Sequence, residues 1–458
     1  MVHFDIPAST TSITKTSWGG WFVKKEELTS VTIPDSVTVI GESAFADFTK
    51  LAAVTIPSSV TTIDRMAFAR CSSLTTVTIP GSVTAIKEGA FAICTSLEAV
   101  TIPSSVTVIE EETFYDCVAL AAVDIPNSVT VIKEKAFYNC VELAAVDIPN
   151  SVTVIKEKAF VNCIALAAVT IPGSVTMIEE AAFHLCSALT EVKIPSSVTM
   201  IGSQVFSNCY RLKSVEISSS VTVIKEKAFY HCPELAEVTI PSSVTVIEKE
   251  AFAFCSALTK VDIPSSVTVI KEAAFADCSA LTKVDIPSSV TVIEKAAFAG
   301  CDSLREVIIP STILTVHNYA FKNCENLTIN FSGNATLGVP NKFEHLKKFI
   351  RKAYVISEAS AQNVLRIWER NSTTPIPLSE TIIEGEIAET RITGGFKKYV
   401  LTTQKKLKKS KRKTTRKTAR KTARRTAKKT ARKTARKTAK KTARKKVNKS
   451  VKYPHHRR

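Results

Sequence analysis

The stretch Leu51-Ala-Ala-Val-Thr-Ile-Pro-Ser-Ser-Val-Thr-Thr-Ile-Asp-Arg-Met-Ala-Phe68 recurs along the chain with a period of 23 residues. A phenylalanine ends each of 13 such units, from Phe45 to Phe321, and a leucine follows it by six residues. A proline precedes it by eleven residues in every unit except the one that contains Ser218. Self-similarity at one fixed period is typical of a solenoid, in which each unit packs only on its neighbours. The sequence therefore predicts a stack of 13 coils.

Two short segments of each unit have the character of β-strands. Apolar residues alternate along Leu51–Ile56, so one side of this segment faces the core and the other faces solvent. Pro57 ends the strand because it has no N–H to donate to a sheet. The β-rich segment Ser59–Ile63 then returns the chain along the other side, and Phe68 fills the centre of the coil. The predicted fold class is a β-rich solenoid of 13 coils of 23 residues with a parallel sheet.

The two ends depart from the repeat. Trp18 follows Pro7 by eleven residues, as the repeat phenylalanine follows its proline, which indicates a degenerate capping coil. Phe343, Leu346 and Ile350 recur at helical spacing, so we expect an amphipathic helix at 341–369 that closes the last coil; a basic helix lying on a membrane is the alternative. The predicted domains are an N-terminal capping coil (1–30), the solenoid (31–331), a helical C-terminal cap and linker (332–395) and a disordered polybasic tail (396–458).

The repeating pattern V-T-I-P-x-S-V-T-x-I followed by A-F-x-x-C resembles the BspA-like leucine-rich repeats over residues 31–331. This resemblance implies a leucine-rich-repeat solenoid, a fold that serves adhesion, recognition and scaffolding alike. Bacterial surface members of the family usually enter the secretory pathway. Residues 1–20 have no apolar segment after a basic start, and no run of 18 apolar residues occurs, so we expect an intracellular protein.

The charge is unevenly distributed. Of the 61 Lys and Arg residues, 30 lie in 396–458, which contains no Asp or Glu. The other 31 stand against all 42 acidic residues, so the remainder of the chain has a net charge of −11. A polyanion is the expected partner of such a tail.

Between Lys413 and Lys446 the tail repeats K-T-A-R with a period of four, and it has no aromatic residue for base stacking before Tyr453. It resembles the tails of linker-histone-like proteins, and the A-R-K-T units resemble stretches of core histone tails. The resemblance implies sequence-independent binding to DNA or RNA; a nuclear-localisation signal or attachment to an anionic membrane are alternatives. The candidate nucleic-acid-binding residues are Lys413, Arg416, Lys417, Arg420, Lys421, Arg424, Arg425, Lys428, Lys429, Arg432, Lys433, Arg436, Lys437, Lys440, Lys441, Arg444, Lys445 and Lys446.

The cysteines and histidines do not have the spacing of a reactive site. All 12 cysteines, from Cys71 to Cys324, follow a repeat phenylalanine by three residues, which favours a buried file of small side chains. His184 and His231 occupy variable positions, where we expect exposure. We find no C-x-x-C, nucleophile elbow, P-loop or dinucleotide fingerprint. The sequence therefore predicts no catalytic residue, no metal and no cofactor.

One face of the first strand is a candidate protein-binding surface. The residues on either side of its central valine point outward, and they carry charge in the later coils. Ordinary solubilising residues would look the same. The candidate residues are Glu191, Lys193, Glu216, Glu237, Thr239, Lys260, Asp262, Lys283 and Asp285. The file of threonines from Thr38 to Thr291 is interpreted as a hydrogen-bonded or packing ladder.

These patterns predict a non-enzymatic scaffold or adaptor that binds an unknown protein through the solenoid and nucleic acid through the tail. We expect a monomer in the nucleus or nucleoid with no small-molecule substrate. The alternative is a cell-surface or virion structural or adhesion protein whose tail binds an anionic polymer or membrane.

Overall fold

The computed structural model of the protein describes residues 2–21, 24–310, 312–317, 319–331 and 352–355. The chain divides into two units, Met1–Pro375 and Ile376–Arg458, and every described residue belongs to the first. The polybasic tail and most of the predicted C-terminal cap therefore lie outside the described residues.

Each repeat forms one three-sided coil. In the second coil, strand β5 (Ala53–Thr55) runs to Pro57, a turn follows, and strand β6 (Thr62–Ile63) leads into a second run of turns around Phe68. Strands at the same position in successive coils pair in parallel, with partners 23 residues apart, such as Val54 with Val77. The prediction of a parallel solenoid is confirmed.

The longer strands stack along the first side of the coils in three hydrogen-bonded groups, β1 to β11, β13 with β15, and β17 to β30. They are β1 Val2–Asp5, β3 Leu28–Thr32, β5 Ala53–Thr55, β7 Thr76–Thr78, β9 Ala99–Thr101, β11 Ala122–Asp124, β13 Ala145–Asp147, β15 Ala168–Thr170, β17 Glu191–Ile194, β19 Ser214–Ile217, β21 Glu237–Thr239, β23 Lys260–Asp262, β25 Lys283–Asp285, β27 Glu306–Ile309, β29 Thr328–Phe331 and β30 Lys352–Val355.

The two-residue strands stack along the second side, again in three groups, β2 to β8, β10 to β16, and β18 to β28. They are β2 Ser12–Ile13, β4 Val39–Ile40, β6 Thr62–Ile63, β8 Ala85–Ile86, β10 Val108–Ile109, β12 Val131–Ile132, β14 Val154–Ile155, β16 Met177–Ile178, β18 Met200–Ile201, β20 Val223–Ile224, β22 Val246–Ile247, β24 Val269–Ile270, β26 Val292–Ile293 and β28 Thr315–Val316.

The N-terminal residues form a further coil with a tryptophan in the phenylalanine position. Strand β1 pairs with β3, strand β2 pairs with β4, and helix α1 (Ser17–Gly20) carries Trp18. Trp18 is 6% exposed and packs on Phe45 at 5.3 Å between ring centroids, tilted rather than stacked. The indole N–H donates to the carbonyl of Ala44. Trp18 thus covers the end of the phenylalanine column.

At the C-terminal end, the structure differs from the predicted helix over 341–369. Four residues of that range are described, and they form the extended strand β30, which pairs in parallel with β29 through partners such as Ile329 and Ala353. The helix prediction is wrong at these four residues, because the unpaired edge of β29 offers backbone hydrogen bonds that a helix does not use. The rest of the range lies outside the described residues.

The repeat phenylalanines form one continuous column in the core. Neighbouring rings from Phe45 to Phe321 lie 4.9 to 5.8 Å apart between centroids and within 12° of parallel. Every one of these rings is at most 1% exposed. Each ring therefore contacts the coil before it and the coil after it, so the column ties the coils together.

The cysteines form a second buried file. All 12 are free and at most 1% exposed, which confirms their interpretation as core residues. Each thiol lies within hydrogen-bonding distance of a phenylalanine carbonyl 26 residues earlier, for example Cys163 Sγ at 3.2 Å from the carbonyl oxygen of Phe137. Burial raises the pKa of Cys94, Cys163 and Cys255 to about 12. The thiols are thus held in the neutral form, which is the unreactive form of cysteine.

The third side of the coil is a ladder of turns with an unusual backbone. The residues two before and two after each repeat phenylalanine have positive φ, among them Ile93 (φ 62), Phe254 (φ 63) and only two glycines, Gly89 and Gly300. Backbone N–H groups here donate to the next coil, as Phe45 does to Ala67 at 2.7 Å. The coil-to-coil hydrogen bonds impose this conformation on residues that do not favour it.

We expect Phe160→Ala to lower the free energy of unfolding by about 3–5 kcal/mol, because it removes a fully buried ring and opens a cavity between two coils. Urea titration followed by circular dichroism measures the change. Ala168→Ser, on the exposed side of the same solenoid, is the matched control and should be nearly neutral. A loss below 1 kcal/mol for Phe160→Ala would contradict the structural role of the column.

Ile93→Asn is expected to raise the free energy of unfolding by about 1 kcal/mol, because asparagine adopts positive φ more readily than a β-branched residue. The repeat already carries asparagine at this position in other coils, such as Asn139 and Asn162. The reverse change, Asn139→Ile, should destabilise the protein by a similar amount. Equal urea midpoints for all three proteins would show that the backbone strain is negligible.

Candidate protein-binding face

The nine predicted face residues lie on strands β17, β19, β21, β23 and β25. In each strand the central valine is buried and the residues beside it are exposed, as Glu191 and Lys193 are around Val192. This follows from the alternation of side chains along a strand. All nine side chains are therefore brought together on one solvent-exposed surface, which we call the charged face.

Parallel pairing sets the order of charges on the charged face. Lys260 lies beside Lys283 and Asp262 lies beside Asp285 in the register of β23 and β25. Within each strand the lysine contacts the aspartate two residues on, with Nζ–O distances of 2.6 Å and 3.1 Å. The hydrogen bond to Asp262 raises the pKa of Lys260. The two strands thus present two lysine–aspartate pairs side by side.

The earlier part of the charged face is less neutralised. Lys193 on β17 and Glu216 on β19 form an ion pair of 3.0 Å between neighbouring coils. Glu191 and Glu237 have no ion-pair partner within the part of the chain that the structure describes. These two exposed carboxylates are available to a cationic group on another molecule.

Before β17 the same surface consists of small side chains. Strands β5 to β15 expose mainly alanine and threonine, and Asp124 and Asp147 stand out from them. The charged face is therefore confined to the second half of the solenoid, next to a smoother surface in the first half.

Sequence reasoning missed a group of aromatic side chains on the turn side, which we call the aromatic cluster: Tyr210, Tyr230, His231 and Phe254. Their rings contact one another across three coils, with centroid distances such as 5.1 Å for Tyr210 with His231 and 5.3 Å for Tyr230 with Phe254. Asn208 Oδ1 lies 3.1 Å from His231 Nδ1. Tyr210 and Phe254 are 38% and 39% exposed. The signal was present, since these positions depart from the small residues of other coils.

Both histidines singled out in the sequence are partly buried, so the expectation of exposure was wrong. His231 packs against the aromatic cluster. Burial lowers the pKa of His184, whose Nδ1 is enclosed without a hydrogen-bond partner among the described residues. The turns pack closely enough between coils to cover a side chain that the sequence places at a variable position.

The file of threonines is a hydrogen-bonded ladder, as predicted. The hydroxyl of Thr61, for example, donates to the carbonyl of Thr38 one coil earlier at 3.3 Å, and Thr153 repeats the contact with Thr130. Serines two residues earlier make a similar ladder, as Ser59 does with Val37 at 2.6 Å. These hydroxyl groups are engaged within the fold.

Other predicted features lie elsewhere or outside the described chain. Within the ranges that the structure describes, no three His, Cys, Asp or Glu side chains come together in a way that could hold a metal ion. No helix in those ranges is long and apolar enough to cross a bilayer. The candidate nucleic-acid-binding residues from Lys413 to Lys446 all lie outside the described residues.

Comparison with solved structures identifies proteins of the same fold. A leucine-rich repeat protein from Bacteroides ovatus is 29% identical with a TM-score of 0.69, and the match covers 78% of this chain and 92% of that chain. A leucine rich cell surface protein from Faecalibacterium prausnitzii is 32% identical with a TM-score of 0.45, covering 75% and 89%. No curated protein matches the chain significantly.

Comparison with protein families gives a match along the solenoid itself. The family model for the BspA type leucine rich repeat region matches residues 17–143, 108–235 and 222–347, so that together these matches span most of the chain. The protein belongs to the BspA-type leucine-rich repeat family.

Proposed function

We propose that the protein is a non-enzymatic scaffold that binds a protein partner through the charged face and nucleic acid through its polybasic tail. The observation that carries the proposal is the contrast between a uniform core and a varied surface. Every coil buries the same phenylalanine, leucine and valine, whereas the exposed residues of β17 to β25 differ from coil to coil. Variation at exposed positions on a rigid stack suits recognition.

The charged face supports a partner with its own ordered charges. Glu191 and Glu237 favour cationic groups, and the lysine–aspartate pairs of β23 and β25 favour a partner that presents both signs. Exposed ion pairs contribute little to folding, since each is worth about 0–1 kcal/mol. Their regular arrangement is better explained by complementarity to another surface, which gives specificity and a faster association rate.

The tail supports a polyanionic partner by its charge alone. It contains 30 Lys and Arg residues and no acidic residue, and the remainder of the chain is acidic. A segment of this composition binds nucleic acid by releasing condensed counterions, without reading the base sequence. The scaffold would then hold its protein partner on DNA or RNA, with the nucleus or nucleoid as the place of action.

A non-enzymatic role agrees with the chemistry of the described residues. The 12 thiols are buried, and burial raises their pKa wherever a shift is resolved, so they are poor nucleophiles. The described carboxylates lie mainly on exposed edges, where several form ion pairs with lysines of neighbouring coils. Regular coils of this kind present a surface for binding.

Charge reversal on the charged face should remove the protein partner. With the full-length protein as bait in a lysate, we expect Lys260→Glu/Lys283→Glu to recover at least tenfold less of the partner, because two cations in register become like-charged with Asp262 and Asp285. Quantitative mass spectrometry measures the recovery. Thr78→Glu/Thr101→Glu, an exposed pair on the first half of the same surface, is the control. An unchanged set of bound proteins would refute the assignment of the face.

Deletion of 396–458 should abolish binding to random-sequence duplex DNA in a gel-shift titration. For the full chain we expect a steep loss of affinity as salt rises, since each neutralised phosphate contributes a slope of about −0.9 in log–log form. Duplexes of different base composition should bind alike. Undiminished binding by the truncated protein would place the nucleic-acid contact on the solenoid and overturn this part of the proposal.

A further inference from the structure

The second side of the solenoid carries a continuous column of partly exposed apolar residues. They stand six residues before each repeat phenylalanine, and in the described structure no other segment covers them. We call this column the apolar stripe: Ala85, Val108, Val131, Val154, Met177, Met200, Val223, Val246, Val269 and Val292. A long exposed apolar surface on a soluble protein marks an interaction site.

The threonine ladder runs beside the apolar stripe and lowers the cost of covering it. Thr153 and Thr176 each donate their hydroxyl to the threonine carbonyl one coil earlier, at 3.3 Å and 3.2 Å. A hydroxyl that is already hydrogen-bonded loses little when water is removed. The stripe and the ladder together form a surface that another molecule can dehydrate cheaply.

The apolar stripe reads almost the same from both ends. Its most exposed members, Met177 (48%) and Met200 (40%), are adjacent at its centre. Three valines follow on each side, and only the outermost pair differs, Ala85 against Val292. A surface with this symmetry is complementary to a second copy of itself turned end over end, which is the condition for an isologous dimer.

The charges beside the stripe have the matching symmetry. The residues four before each phenylalanine include Lys87, Glu110, Lys133 and Lys156 in the first half; the corresponding residues counted from the other end are Glu294, Lys271, Glu248 and Lys225. Three of these four pairs are of opposite sign, and the next pair outward, Asp64 with His317, adds a carboxylate opposite an imidazole. Opposite charges thus oppose one another along both halves.

We propose that a second copy of this chain packs on the apolar stripe as a two-fold dimer. The axis runs parallel to the short strands and passes between Met177 and Met200, so that each coil faces the coil equally far from the centre in its partner. Val108 then faces Val269 of the other copy, and Glu110 faces its Lys271. This replaces the expectation of a monomer, and it leaves the charged face on the first side open to the partner proposed above.

The weak points of this arrangement limit its affinity. Lys156 faces Lys225, although Glu179 contacts Lys156 at 2.7 Å and offsets part of its charge. Ten coils at about 4.8 Å spacing make a stripe of roughly 43 Å, and a width of about 10 Å gives on the order of 450 Å² per copy. Stable complexes usually bury about 800 Å² per partner, so we expect a weak dimer whose population depends on concentration.

Cross-linking between single-cysteine variants of the full chain tests the geometry. Val108→Cys and Val269→Cys proteins, mixed and oxidised, should give a disulfide-linked dimer, because these positions face one another across the axis. Val108→Cys alone should not, since its copies stand seven coils apart, or about 34 Å. The native thiols are buried, so the unsubstituted protein serves as the blank. Equal cross-linking of the mixture and of Val108→Cys alone would overturn the proposed axis.

Sedimentation equilibrium of the nuclease-treated full chain tests the association itself. The apparent mass should rise from 49.8 kDa towards twice that value with concentration. Met177→Lys/Met200→Lys should raise the dissociation constant at least tenfold, whereas Ala168→Lys, on the first side, should not change it. A mass that stays at 49.8 kDa, or a dimer indifferent to the methionine substitutions, would refute the proposal. Glu248→Lys should weaken the dimer, and Glu248→Lys/Lys133→Glu should restore it.

Discussion

The whole structure depends on hydrogen bonding between coils of equal length. Backbone groups on all three sides bond to the same position one coil away, and this holds only while every unit keeps 23 residues. A coil longer or shorter by one residue would move its phenylalanine out of the column and invert its strand relative to its neighbours. The constant period is therefore a physical requirement, and it explains why the core residues hardly vary while the surface residues do.

Most of the fold could be predicted because its signals repeat. One phenylalanine at a fixed spacing says little, but 13 of them require a common environment, and the file of cysteines follows the same logic. The positive φ values of Ile93 and Phe254 could not be predicted, because neither residue favours that conformation and the hydrogen bonds of neighbouring coils impose it. Strand β30 was missed for a related reason, since pairing with the edge of β29 outweighed a helical spacing of apolar residues.

The charged face was partly predictable. Alternation along a strand was enough to place Glu191 and Lys193 outside, but the ion pair between Lys193 and Glu216 depends on the register of two strands and on side-chain conformations. The aromatic cluster belongs to turns, which have no periodic contrast between buried and exposed positions. His231 therefore looked like an ordinary surface residue until its packing against Tyr210 was seen.

The contacts that stabilise each coil reach only its nearest neighbours, and this has a consequence for how such a gene can change. Duplication or loss of a whole unit by unequal recombination leaves every remaining coil with intact neighbours, so the number of coils can drift without loss of the fold. Surfaces that depend on position along the stack are inherited under a stricter rule. One unit gained on either side of Met177 and Met200 would move them off the midpoint, so a symmetric surface ties the copy number on one side to that on the other.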